Sequence, residues 1–192
     1  NAERQGEVRL LAPSHLWRPL VRHAVGALRA VHPKLRPHAG MLTRDAEVSL
    51  RRGRADVVVT FTRPDADDLH ISALVRLGVG LFTVGSETPE GLVSVEGDAP
   101  IGDALQATES PTLPVRYAVF NLDAAIDIAR SEPLALRMPL ATAATYDLTL
   151  RCRGSSVPVY LATRAPLSRP THAGLLAESL RAQAKTLMHA SG

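Results

Sequence analysis

The run of seven residues from Ala55 to Phe61, ADVVVTF, constrains the fold of this chain most strongly. A nearly continuous β-branched stretch of this length is typical of a strand that is buried on both faces, as in a parallel sheet covered by helices. Between Gly6 and this run, a strand, a polar elbow and a helix occur twice. The order predicts a βαβαβ unit, in which the strands are parallel and the connections are helical.

The two helices of this unit are predicted from their boundary residues. The first ends at His32 because the residue before Pro33 disfavours the α region. Thr43 is the expected N-cap of the second helix, and Gly53 is expected to close it. Pro37 confines the second strand to a sheet edge, as in a doubly wound sheet of order 2-1-3. The predicted apolar stripe of the first helix consists of Leu16, Leu20, Val21, Ala24, Val25, Leu28 and Val31.

Ligands of doubly wound sheets bind beyond the carboxyl ends of the strands. The elbows at 13–15, 40–43 and 60–63 are therefore expected to converge. Ser14 at a helix N-terminus suits an anion, although it is equally suited to capping the helix. Arg63 can pair with a carboxylate through two parallel hydrogen bonds, although arginine in a turn is more often solvated. These groups predict a small polar ligand, with an organic anion as the most natural class.

The same segment resembles the effector-binding (regulatory) domain of LysR-type transcriptional regulators. The resemblance rests on GEVRL from Gly6, the Ala-Pro-Ser elbow, the Leu-rich helix that ends in His-Pro, the stretch from Leu42 to Leu50, and RGRADV from Arg52. It implies an α/β fold of two Rossmann-like lobes, like the type II periplasmic-binding proteins, joined by two crossover strands with the effector in the cleft.

The rest of the chain is divided on this basis. Lobe I is predicted to comprise residues 1–85 plus 163–192, and lobe II residues 86–162, with the first crossing in the Pro- and Gly-containing stretch 85–91. The motif match is weaker in lobe II, where Arg130 to Pro133 stands in place of the Gly-rich turn usual in the family. Further strands are predicted at 69–75, 79–84, 93–96, 115–120, 134–138, 146–152 and 157–163, and helices at 100–108, at 122–130 with Asn121 as N-cap, and from Thr171.

The elbows and the resemblance together predict two sets of functional residues. Effector contacts are expected from Ser14, His15, Leu42, Thr43, Thr62, Arg63 and Asn121. The resemblance further implies a homodimer or tetramer in which the first-lobe helix packs antiparallel on a second-lobe helix of the neighbour, through Leu20, His23, Ala24, Val25, Leu28, Ala125 and Ile128. It also assigns promoter DNA to a winged helix-turn-helix domain preceding residue 1.

Composition and motifs argue against other functions. The net charge of +3 arises from 22 basic and 19 acidic residues in both halves, which is a weak signal for nucleic-acid binding by this chain. No G-x-G-x-x-G or P-loop is present, so no nucleotide cofactor is expected. Four of the histidines, His15, His23, His32 and His38, share no ligand motif, so no metal is expected.

An enzyme is not expected, because Ser14 and His15 are adjacent and no G-x-S-x-G frames the serine. The single Cys152 fits a reducing, cytoplasmic location, and no apolar run approaches the length of a membrane span. The hypothesis is thus a small-molecule-sensing domain of a transcriptional regulator. The alternative is a periplasmic solute-binding protein of a transporter, which shares the two-lobed architecture.

Overall fold

The computed structural model describes residues 6–42, 45–106, 112–164 and 171–190. These residues form two units, the first within residues 1–75 and 158–190 and the second within residues 76–157. The predicted boundaries at 85/86 and 162/163 both lie farther along the chain than the observed ones. The observed boundaries, at 75/76 and 157/158, lie inside two long strands, His70–Thr83 and Thr149–Thr163, whereas the first crossing was predicted in the Pro- and Gly-containing stretch 85–91.

Strands and helices alternate along most of the described chain. The strands are β1 (Glu7–Ala12), β2 (Arg36–Met41), β3 (Val57–Thr60), β4 (His70–Thr83), β5 (Gly91–Val95), β6 (Val115–Val119), β7 (Leu134–Pro139) and β8 (Thr149–Thr163). The helices are α1 (Arg22–Val31), α2 (Ala46–Arg51), α3 (Ala99–Gln106), α4 (Leu122–Ser131), α5 (Leu140–Ala143) and α6 (His172–Ala190). No helix in these described segments is long and apolar enough to cross a membrane.

Strands β4 and β8 are each one strand where two were predicted. In β4, inward-facing Val75, Leu77 and Val79 are buried, and Arg76 between the first two is exposed, so the alternation of a strand continues through the predicted turn. Arg76 also donates from Nε to Ser156 Oγ at 3.1 Å and from Nη2 to the Ser156 carbonyl at 3.0 Å, which fixes the middle of β8. Each strand therefore passes from one unit into the other without a break.

The sheet of unit 1 has the order β2-β1-β3-β8. Strand β1 is parallel to both neighbours, with Leu10 opposite Ala39 on β2 and opposite Val57 on β3, whereas β8 is antiparallel to β3. The parallel 2-1-3 arrangement with β2 at the edge is confirmed. All four residues of β3 are buried, as its β-branched sequence predicts.

The first helical segment is less regular than predicted. It starts as a 3-10 turn at Ser14–Leu16, continues as a π-helical turn at Trp17–Val21, and becomes α-helical only at α1. The predicted end is confirmed, since His32 is the C-cap. Five of the seven stripe residues are buried, but Val25 is half-buried and Val31, the last helical residue, is 72% exposed.

The outer helices of unit 1 are held by specific contacts. Helix α6 begins after Thr171 as predicted, and the Thr171 hydroxyl accepts a hydrogen bond from the Gly174 N–H at 3.0 Å. It packs on α1, where Ser179 Oγ donates to the Ala24 carbonyl at 2.7 Å. Helix α2 starts later than predicted, and Asp45 is its N-cap in place of Thr43.

The sheet of unit 2 has the order β4-β7-β5-β6, in which β5 is parallel to β6 and β7, and β7 is antiparallel to β4. Its core is apolar, as expected for strands covered by helices. The core lies between these strands and α4 and includes Phe82, Val93, Leu122, Ile126, Leu136 and Met138. Asn121 caps α4 as predicted, and α5 was not predicted.

Candidate functional site

The three elbows of unit 1 lie at one edge of its sheet, because β1, β2 and β3 are parallel and end there. The Leu42 N–H donates to the Ala12 carbonyl at 2.8 Å, which holds the second elbow beside the first. The rings of His15 and Phe61 meet edge to face, with 6.0 Å between their centroids, which places the third elbow beside the first. The predicted convergence of the elbows is therefore observed.

The first elbow presents the start of a helical segment. Pro13 occupies the N-cap position and makes no side-chain cap, and the Leu16 N–H closes the turn on the Pro13 carbonyl at 3.0 Å. Ser14 is thus the first residue of the turn and not its cap, so the capping interpretation of Ser14 is wrong. Trp17, 42% exposed, follows at the start of the next turn.

His15 is fully buried, and Phe61 is 3% exposed. The imidazole therefore belongs to the layer beneath the elbows. Its role in the structure is to pack the first elbow against the third.

The third elbow is a compact turn with accessible side chains. The Thr62 N–H donates to Thr60 Oγ1 at 3.1 Å, and the same hydroxyl donates to the Thr62 carbonyl at 3.2 Å. The side chains of Thr62 and Arg63 are exposed. In the second elbow Leu42 is half-buried, and the predicted contact Thr43 lies outside the described residues.

The segment after the third elbow is fixed to α2 by charge. Arg51 makes two hydrogen bonds to the Asp68 carboxylate, at 3.0 and 2.7 Å, and Glu47 accepts from the Asp65 N–H at 2.8 Å. Hydrogen bonding to Arg51 lowers the pKa of Asp68, and the same bond raises the pKa of Arg51. The loop that follows β3 is therefore held in one place beside α2.

Electrostatically, the first two elbows lie in a strongly basic segment. No acidic residue occurs from Val8 to Arg44, whereas seven Lys or Arg residues do. The even distribution of charge between the halves of the chain conceals this local excess. One of the seven, Arg9, is paired with Asp56 at 3.5 Å. A basic segment of this kind favours the approach of anions.

In unit 2, two elbows follow parallel strands. Asn121 Oδ1 accepts the Ala124 N–H at 2.8 Å, so the carbonyl oxygen of this side chain is used in capping α4. At the end of β5, Asp98 accepts from Ser94 Oγ at 3.1 Å and from the Val95 N–H at 3.2 Å, and pairs with Arg137 at 3.2 Å. The sequence analysis did not predict this cluster. An arginine within the otherwise apolar strand LALRMP does indicate a buried charge that needs an acidic partner.

The seven predicted dimer contacts differ in how far their side chains are exposed. Four of them, Leu20, Ala24, Leu28 and Ala125, are at most 3% exposed and pack into their own units, so they position the helices and do not present a surface. This corrects the prediction for those four residues. His23 is exposed, and Val25 and Ile128 are half-buried, so these three residues remain accessible.

Within the described parts of the chain, no group of three His, Cys, Asp or Glu side chains is placed to hold a metal ion. Cys152 is half-buried on β8. The predicted site residues at the elbows of unit 1 carry the hydroxyls of Ser14 and Thr62 and the guanidinium of Arg63, with His15 buried beneath them.

No protein-family model and no curated protein matches the sequence, but many solved structures match the fold. The regulatory domain of reduced OxyR from Pseudomonas aeruginosa has 16% identity and a TM-score of 0.72, over 93% of this chain and 96% of that one. The BenM effector-binding domain with its effector benzoate has 14% identity and a TM-score of 0.70, over 96% and 94%.

CbnR, a LysR family transcriptional regulator solved alone and, as the full-length protein, in complex with target DNA, has 17% identity and a TM-score of 0.68. The match covers 93% of this chain and 70% of CbnR. Together with the strand orders of the two units, these comparisons confirm the predicted α/β fold class: this chain has the fold of the effector-binding regulatory domains of LysR-type transcriptional regulators.

Proposed function

We propose that this chain is the effector-sensing regulatory domain of a LysR-type transcriptional regulator, and that its effector is a small organic anion. The observation that carries the proposal is the convergence of three elbows at one edge of a parallel sheet. On this fold, that edge is where ligands bind. The BenM domain, which shares the fold, was solved with benzoate, an organic anion.

The residues of the edge support an anionic ligand. The helical turn after Pro13 begins without a side-chain cap, and N–H groups at the start of a helix attract negative charge. Arg63 is exposed on the neighbouring elbow and offers a second cationic contact. The segment from Val8 to Arg44 carries seven Lys or Arg residues and no acidic residue, and Asp68, which follows the third elbow, is neutralised by Arg51 at 2.7 Å.

A thermal-shift screen of organic acids, amino acids and aromatic acids tests the effector proposal. A ligand present at about 100 times its dissociation constant stabilises the folded chain by about 2.7 kcal/mol. We expect Ser14→Ala and Arg63→Gln to reduce the shift. Arg153→Gln, which removes the same charge from an exposed position on β8, is the matched control and should keep it. A full shift in the Ser14 and Arg63 variants would remove these residues from the site.

We propose that the chain acts in the cytoplasm and reaches promoter DNA through a winged helix-turn-helix domain on its N-terminal side. CbnR, of which this chain matches 70%, was solved at full length in complex with target DNA. The test is a promoter-binding assay on the full-length protein and on residues 1–192 alone. DNA binding by residues 1–192 equal to that of the full-length protein would contradict the assignment.

We propose that two copies associate through α1 of one and α4 of the other. The exposed face of α1 carries Arg22 and Arg29. The exposed face of α4 carries Asp123, Asp127 and Arg130, with Asp127 and Arg130 paired at 2.9 Å, so its net charge is negative and opposite to that of α1. Light scattering should show a dimer that Asp127→Lys weakens and that the combination of Asp127→Lys with Arg29→Glu restores. A monomer at high concentration, or no response to either charge change, would contradict this pairing.

A further inference from the structure

A cavity of about 420 Å³ opens in unit 2 at the end of the sheet opposite to Asn121. This end contains the last residue of β4, Thr83, and the first residue of β7, Leu134, whereas Asn121 follows the carboxyl end of β6. The volume lies in the range of small-molecule sites. The cavity is lined by the loop at 83–87 and by the end of α4 with the turn that follows it, at 129–134.

The loop wall of this cavity is held in place by one arginine of β8. Arg151 donates from Nε to Thr83 Oγ1 at 2.8 Å and from Nη2 to the carbonyls of Gly85, at 3.1 Å, and Glu87. The Thr83 hydroxyl in turn donates to the Gly85 carbonyl at 2.6 Å. Because one guanidinium ties three points of the loop together, the wall is formed before any ligand binds.

The opposite wall is the negative end of a helix. Helix α4 ends at Ser131, and the last four carbonyls of a helix have no N–H partner within it. Of these, the Ile128 carbonyl accepts from the Glu132 N–H at 3.2 Å and from Ser131 Oγ at 2.8 Å, so the end of α4 presents the carbonyls of residues 129–131. The two walls are joined where the Glu90 N–H donates to the Pro133 carbonyl at 2.8 Å. Carbonyl oxygens at such a position accept hydrogen bonds from cations.

The charged residues that line the cavity also favour a cation. Glu87 and Glu132 contribute two carboxylates, and Arg130, the one cation among the lining residues, pairs with Asp127 at 2.9 Å outside the cavity. Glu132 accepts from the Tyr117 hydroxyl, which fixes its position. The guanidinium groups of Arg151 and Arg130 donate to the loop and to Asp127, and the Ser131 hydroxyl donates to the Ile128 carbonyl. The carboxylates and helix-end carbonyls add acceptors to this cavity.

We infer that this cavity is a second ligand site and that it takes a small organic cation with N–H donors, of the primary ammonium or guanidinium type. The ammonium or guanidinium group binds the carboxylates of Glu87 and Glu132 and the carbonyls at the end of α4. The site differs in charge and in location from the elbows of unit 1. The inference does not depend on the function proposed above.

Titration of the isotope-labelled chain with agmatine, which carries both a guanidinium and a primary ammonium group, tests the inference by amide chemical shifts. We expect saturable shifts confined to residues 83–87 and 129–134, with a dissociation constant of about 1 mM or tighter. Glu87→Gln and Glu132→Gln should each weaken binding by about tenfold, a loss of one charged contact. Glu90→Gln, the same change beside the cavity, is the control and should leave the affinity unchanged.

Two further comparisons make the test decisive. Succinate, an anion of similar length, should shift none of these amides. Arg151→Gln should weaken agmatine binding by releasing the loop, and Arg153→Gln two residues along the same strand should not. Shifts spread over the whole surface, equal shifts with succinate, or an affinity indifferent to both glutamate substitutions would overturn the inference.

Discussion

Replacing Asp98 with alanine should destabilise unit 2 by several kcal/mol. The Asp98 side chain is 5% exposed and that of Arg137 is 16% exposed. The substitution removes the acceptor for Ser94, for the Val95 N–H and for the guanidinium, whose Nε already has no hydrogen-bond partner among the described residues. Breaking a buried pair from one side leaves an uncompensated charge and costs about 3–5 kcal/mol.

Native-state hydrogen exchange measures this loss where it occurs. We expect the opening free energy of amides in β5 and β7 to fall by about 3–5 kcal/mol, and the double variant Asp98→Ala with Arg137→Met to recover most of that loss. The single tryptophan, Trp17, lies in unit 1 and reports separately on that unit. A cost below about 1 kcal/mol for Asp98→Ala, or a double variant as unstable as the sum of its parts, would refute the reasoning.

Two more predictions concern stability in unit 1. Gly6→Ala should lower the free energy of unfolding by about 1–3 kcal/mol, because Gly6 has φ 81° and a Cβ there would lie 2.9 Å from the Lys34 carbonyl oxygen. Gly26 lies in α1 with open space around it, so Gly26→Ala should instead raise the free energy of unfolding by about 1 kcal/mol. Urea denaturation of both variants measures the two changes. Because pairing with Arg51 lowers the pKa of Asp68, the pair stabilises the folded chain fully above the ordinary aspartate pKa, and this stabilisation is lost as the pH falls through the lowered pKa. Asp68→Asn should therefore flatten the dependence of unfolding free energy on pH below about pH 4. An equal pH dependence in the two proteins would contradict the pairing.

The first half of the fold was predictable because its signals are local. The β-branched run of β3 and the Pro33 break fix the type and order of the elements, and Pro37 fixes the edge strand. The convergence of the elbows then follows from parallel pairing alone. The end of α1 at His32 and the capping of α4 by Asn121 were read directly from residue chemistry.

The errors arose where tertiary contacts override local signals. Breaks were predicted between residues 75 and 79 and between 152 and 157, yet β4 and β8 continue through them. Gly154 lies in the second of these stretches, and a Cβ there would lie 2.9 Å from the Ala104 carbonyl oxygen, so this glycine permits close packing within a continuous strand. Thr43 and Asp45 are both good N-caps, and the sequence does not rank them. A helical stripe likewise does not tell whether its residues face their own core or a second copy, and for Leu20 the structure shows that it is the core.

The most direct test of the sensing function is to map the effector onto the amides of the chain. Once the organic-acid screen supplies a ligand, its titration into the isotope-labelled chain should shift the amides of residues 14–16, 42 and 60–63 at the same concentration that raises the unfolding temperature. Stabilisation by the ligand with these amides unchanged would contradict the claim that the three elbows of unit 1 form the effector site.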